Sequence, residues 1–147
     1  MDSVPISGVY KKENLDLKEL LVKFIEFCSE GSSGSALFFL GIARKKGKGN
    51  KEVAFVEMES YEEHANKAIR RICEEVKSKY SVSNVFIWHL IGKFKVGEPI
   101  VLVAISSEHR DKGFQALIEA VERYKKEPAL FKKEVYLDNT SLWIEGA

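Results

Sequence analysis

The chain has 147 residues, 45% of them hydrophobic, a size at which one core closes over most of its apolar surface without help from metals or disulfides. Its formal net charge of +1 supplies no global field for nucleic acid or an anionic membrane. No uninterrupted apolar run is long enough to cross a bilayer and the start lacks a signal-like pattern, which predicts a soluble, cytosolic domain spanning 1–147, with 1–14 as a flexible lead.

From Leu17 the apolar residues recur at helical spacing through Leu20, Leu21, Phe24, Ile25 and Cys28, with Asn14 or Asp16 as the cap. After the flexible break 31–35, Ala36-Leu37-Phe38-Phe39-Leu40 is apolar on both faces, the pattern of a central buried strand. Val53 to Ser60 alternates, with Glu57 and Glu59 on a wetter face. Ala65, Ala68, Ile69, Ile72, Cys73 and Val76 mark a second helix, so Cys28 and Cys73 both read as buried, reduced thiols. Strands over 85–91 and 100–105 flank Gly92 to Gly97, which reads as a hairpin loop. A third helix capped by Asp111 carries Phe114, Leu117, Ile118 and Val121 and stops before Pro128, after which 131–137 returns to the sheet. The resulting order, α-β-β-α-β-β-α-β, predicts a single α+β domain with a mainly antiparallel sheet and packed helices.

Four side chains look placed for chemistry. Lys125 shares a helix face with Phe114, Ile118 and Val121, so it either snorkels from a fraying helix end or is a partly desolvated amine able to move protons near neutral pH. His109 and Arg110 stand between a strand end and a helix N-terminus, a position that suits a phosphate and also describes an ordinary exposed turn. Arg44 leaves a buried strand at the sheet rim, where bidentate phosphate binding is available. The remaining cations of 44–51 read as a solvated loop, and Lys126, Lys132 and Lys133 join Lys125 in a second basic cluster. Gly47-Lys48-Gly49 lacks the spacing of a P-loop. His64, His89 and His109 lack the spacing of a zinc site; His64 reads as solvated and His89 as a hydrogen-bonded structural residue.

From about Gly34 to Trp143 the segments resemble, in order, the large subunit of molybdopterin synthase. The resemblance rests on Gly34 to Arg44, Met58-Glu59-Ser60-Tyr61, Trp88-His89-Leu90-Ile91-Gly92, Ser107-Glu108-His109-Arg110, Phe114-Gln115-Ala116, and Lys125 with Pro128 and Phe131-Lys132-Lys133-Glu134. Leu90, Phe131 and Leu142 stand where that family more often has Arg, Trp and Arg.

The resemblance implies a hammerhead-like α/β arrangement and a sulfurtransferase acting on cyclic pyranopterin monophosphate. Lys125 and Lys132 would be the catalytic pair, with Arg44, His109 and Arg110 holding the substrate phosphate. Sulfur would arrive as a thiocarboxylate on the Gly-Gly tail of a ubiquitin-like small subunit, and two large subunits would pair within a heterotetramer. No metal or organic cofactor is expected. The competing expectations are a basic RNA-binding α+β module, which needs exposed stacking aromatics, and a homologue that has lost activity and serves as a scaffold.

Overall fold

The computed structural model describes residues 3–146, which form seven strands and three helices. Strand β1 (Gly8–Lys11) precedes α1 (Leu17–Phe27), β2 (Ser35–Ile42) and β3 (Val53–Ser60). Then come α2 (Glu62–Tyr80), β4 (Asn84–Lys95), β5 (Pro99–Ser107), α3 (Arg110–Tyr124), β6 (Leu130–Tyr136) and β7 (Ser141–Ile144). The sheet runs β2-β5-β4-β3-β6-β7 with antiparallel neighbours, and β1 adds to β4 in parallel. The α+β class and the mainly antiparallel sheet are as the sequence predicts.

Local chemistry sets the element boundaries. The Asp16 carboxylate accepts the N–H groups of Lys18 and Glu19 at 2.9 and 3.3 Å, so α1 starts at the expected cap. The six apolar residues predicted for α2 are all buried. The segment expected as a flexible lead instead holds β1, and the Ser7 hydroxyl beside it accepts from the Cys73 thiol and from the Ile87 N–H.

Three expectations change. Residues 36–40 belong to the edge strand β2 and are apolar on both faces because α3 covers one side and α1 the other, with Phe38 against Phe24. The expected hairpin loop is largely strand: β4 pairs with β5 through His89, then swings to pair with β3 from Gly92, whose φ of +129° favours glycine. Helix α3 is capped at His109 rather than Asp111, and it buries Gly113, Ala116, Ala120 and Tyr124 while Phe114 and Ile118 stay 56% and 60% exposed. Close approach explains that inversion, because a Cβ added at Gly113 would come within 2.6 Å of the Leu37 side chain. The helix packs through its small residues, which a hydrophobic count undervalues.

Two apolar clusters sandwich the β2-β5-β4 half of the sheet, one beneath α2 and α3 and the other beneath α1. At the seam between this half and the β3-β6-β7 half, the end of β2, the end of α3 and the middle of β6 converge on one cavity.

Candidate active site

The cavity has a volume of about 350 Å³, and its rim carries Arg44, Lys125 and Lys132. Each is delivered by a different element. Arg44 stands two residues past the end of β2, Lys125 is the C-cap of α3, and Lys132 projects from β6 opposite Met58 of β3. The turn presenting Lys125 is pinned by Arg123, whose guanidinium donates to Glu127 and Glu75 at 2.6 Å each. Three of the five residues singled out in the sequence are thus brought together although 88 positions separate Arg44 from Lys132.

The two lysines differ in surroundings. Lys125 is exposed, which fits the snorkelling alternative and not the desolvated amine. Lys132 is half-buried, and burial is the main cause that lowers its pKa. Arg44 and Lys125 push in the same direction, and Glu134 opposes them.

Glu134 is a buried carboxylate two residues further along the same face of β6. It accepts the Lys48 N–H at 3.0 Å and the Tyr136 hydroxyl at 2.7 Å. A Cβ at Gly47 would fall 2.5 Å from its oxygen, so the glycine permits the contact. The cations of 44–51 are solvated as expected, and this clasp ties their loop to the strand that carries Lys132.

The floor and walls come from Phe39, Gly41, Met58, His89, Val101 and Tyr124. His89 is fully enclosed, and burial moves its pKa down to about 4, so the ring is neutral near pH 7. Burial likewise pushes the Tyr124 hydroxyl pKa up. Sequence reasoning missed Tyr124 as a site residue, although the spacing Ala116, Ala120, Tyr124 marks it as the last member of the small-residue face of α3.

His109 and Arg110 are elsewhere. They line a separate hollow with Gly34, Ser35, Glu108 and Asp111, at the opposite end of α3 from Lys125. A 15-residue helix lies between the two places, about 22 Å at 1.5 Å per residue. Within one chain, therefore, the expected grouping of Arg44, His109 and Arg110 around one phosphate does not form. Both residues are exposed, and His109 caps α3 without a side-chain hydrogen bond. Of the family departures, Leu90 is buried beside α1, while Phe131 and Leu142 are exposed.

Among the described residues, no group of three or more His, Cys, Asp or Glu side chains is placed to hold a metal ion, and no helix is long and apolar enough to cross a membrane.

The family profile described as MoaE protein matches residues 10–127. The chain is 34% identical over 146 residues to the molybdopterin synthase catalytic subunit of Pyrococcus abyssi, covering 99% of this chain and 95% of that protein. It spans 54 to 58% of the length of the mammalian relatives it matches. Among solved structures, molybdopterin synthase from Staphylococcus aureus superposes with a TM-score of 0.81 at 28% identity, over 94% of this chain and 96% of that one. A complex of subunits 1 and 2 of the molybdopterin-converting factor from Helicobacter pylori shares the fold, with a TM-score of 0.74 at 18% identity over 95% and 88% of the two chains.

Proposed function

The chain belongs to the MoaE family, and from that membership and the cationic cavity we propose that it is the catalytic subunit of a molybdopterin synthase, working in the cytoplasm. It transfers sulfur from the C-terminal thiocarboxylate of a ubiquitin-like small subunit to cyclic pyranopterin monophosphate, building the dithiolene of molybdopterin. The observation that carries this reading is the convergence of Arg44, Lys125 and Lys132, from three distant segments, on one cavity.

Their environments divide the work. Lys132, with its proton affinity lowered by burial, gives up a proton readily to an oxygen leaving the substrate carbon. Lys125, at the rim and in water, remains a mobile donor that polarises the second reacting position. Arg44 neutralises the phosphate as the cyclic ester opens. The same cations draw in the anionic end of the sulfur-bearing tail, and glycine lets that tail pass where side chains would not.

His109 and Arg110 fit this scheme through a second copy of the chain. If they bind the phosphate of the same substrate, about 22 Å of helix requires that they come from the partner in a homodimer. The homodimer, flanked by two small subunits, is the assembly we propose. The exposed Phe114, Tyr61 and Phe131 lie on different elements rather than on one strand platform, so the RNA-binding reading gains nothing from them.

Reconstitution tests the function. Purified chain, cyclic pyranopterin monophosphate and thiocarboxylated small subunit should yield molybdopterin, read as its fluorescent oxidation product, only when all three are present. The two-copy arrangement has its own test: Lys125→Ala and Arg110→Ala proteins, each impaired alone, should regain activity when mixed and allowed to exchange subunits. Mixtures no more active than their parents would contradict shared sites.

A further inference from the structure

Two side chains in the cavity take no part in the chemistry above. His89 is 1% exposed and Tyr124 3%, and both line the cavity beneath Lys125 and Lys132. The His89 Nδ1 lies 2.8 Å from the Leu90 carbonyl oxygen. A carbonyl only accepts, so Nδ1 carries the hydrogen and Nε2 keeps a free lone pair. The Tyr124 ring packs against the imidazole at 5.8 Å between centroids, and its hydroxyl lies beside Gly41.

Neither Nε2 nor the phenol oxygen has a hydrogen-bond partner among the described residues. Among the described residues the one fully occluded side-chain N or O atom without a partner is Ser60 Oγ, so these two atoms must reach the cavity surface. Polar atoms held in so enclosed a place cost free energy unless something meets them. Gly41 keeps the adjoining wall flat, since a Cβ there would come within 2.5 Å of the Val101 side chain.

We infer that His89 and Tyr124 form an uncharged hydrogen-bonding floor that takes one amide N–H and one amide C=O held side by side, as in a lactam or along one extended residue, from a bound ligand. The imidazole lone pair accepts the N–H and the phenol donates to the carbonyl. An anion would go instead to the three cations above, and an apolar group would leave both atoms unmet. The inference rests on the functional reading just given, which offers two sources of this chemistry: the N–H and C=O of one extended residue in the glycine tail of the small subunit, and the lactam edge of the pyranopterin ring.

The test compares the wild type with Tyr124→Phe, which removes a single hydroxyl, His89→Leu, which removes the acceptor, and His89→Gln, which retains one. Two probes are titrated: the cognate small subunit, intact and shortened by its last two residues, and free pterin followed by fluorescence. Tyr124→Phe and His89→Leu should each weaken one probe about fivefold, the worth of a neutral hydrogen bond, and His89→Gln should lose less. Weakening confined to the intact small subunit identifies the tail, and weakening confined to pterin identifies the lactam. Unchanged affinity for both probes, or equal losses with intact and shortened small subunit, overturns the inference. Because Tyr124→Phe leaves the packing in place, a poorly folded His89 variant does not blunt the result. A wild-type chain that binds no small subunit defeats the functional reading, while the pterin titration still decides the floor.

Discussion

Helix α3 has a candidate site at each end, three basic side chains at one and a His-Arg pair beside Glu108 and Asp111 at the other. At its C-terminus, Lys125 meets Arg44 and the half-buried Lys132 over a cavity of about 350 Å³ with a neutral, enclosed floor. At its N-terminus, His109 and Arg110 stand in water beside Glu108, with the backbone N–H groups of the first turn and the helix dipole as their main assets. The first setting changes what its side chains are, since burial weakens Lys132's hold on its proton and keeps His89 neutral. The second changes only where charge is placed. A reagent needs the former and an anion clamp needs no more than the latter, which is why we propose that the lysines at one end do the chemistry and that His109 and Arg110 at the other only add to Arg44 in holding the phosphate.

Substitutions at the two ends should therefore differ in kind. The largest effect is expected for Lys132→Met, which removes the partly desolvated amine and should lower kcat by about 10²–10⁴-fold in steady-state assays with unchanged circular dichroism. Next comes the acid sensitivity of the enclosed floor. Because the folded His89 pKa of about 4 lies below the ordinary 6.5, the unfolded chain takes up the proton first, and acid favours unfolding. Stability should fall as pH drops from 6.5 through 4, by roughly 3 kcal/mol in urea titrations, and His89→Gln should flatten that dependence.

Arg110→Ala at the open end should raise KM about tenfold, the loss of one charge-assisted contact, and leave kcat nearly unchanged. A kcat effect as large as that of Lys132→Met would erase the distinction between the two ends. The smallest effects belong to Phe114→Ser and Ile118→Ser on the exposed face between them, each within about 0.5 kcal/mol by thermal melts of the isolated chain.

Much of this was legible in the sequence. Regular alternation in β3 and the helical spacing in α2 gave those elements with their buried faces, because each packs with ordinary side chains against one neighbour. The rule failed where packing was closer than usual. On α3 the closest contact runs through Gly113, Ala116 and Ala120, so Phe114 and Ile118 point to water while Leu117 and Val121 pack partly against the core, and Tyr124 took its place at the cavity unnoticed. In β2, coverage on both faces imitated a central strand at the edge of the sheet. Lys125, Lys132 and Arg44 were identifiable from resemblance and from charge at element ends. Their separation from His109 and Arg110 was not, because the sequence lists residues in one chain and says nothing of how far a helix holds them apart. Glu134, which fastens the 44–51 loop to β6, was visible only as the tail of a motif until its hydrogen bonds to Lys48 and Tyr136 were seen.

The central claim is that the cavity bearing Lys125 is where sulfur is transferred. Its most direct test is a single-turnover assay of Lys125→Ala against the wild type, with cyclic pyranopterin monophosphate and thiocarboxylated small subunit, after gel filtration has shown that both proteins form the same complex. The account predicts an intact complex and no fluorescent molybdopterin derivative from the variant, because truncating an exposed side chain removes charge and little core. Wild-type turnover by Lys125→Ala would contradict it and move the chemistry out of this cavity.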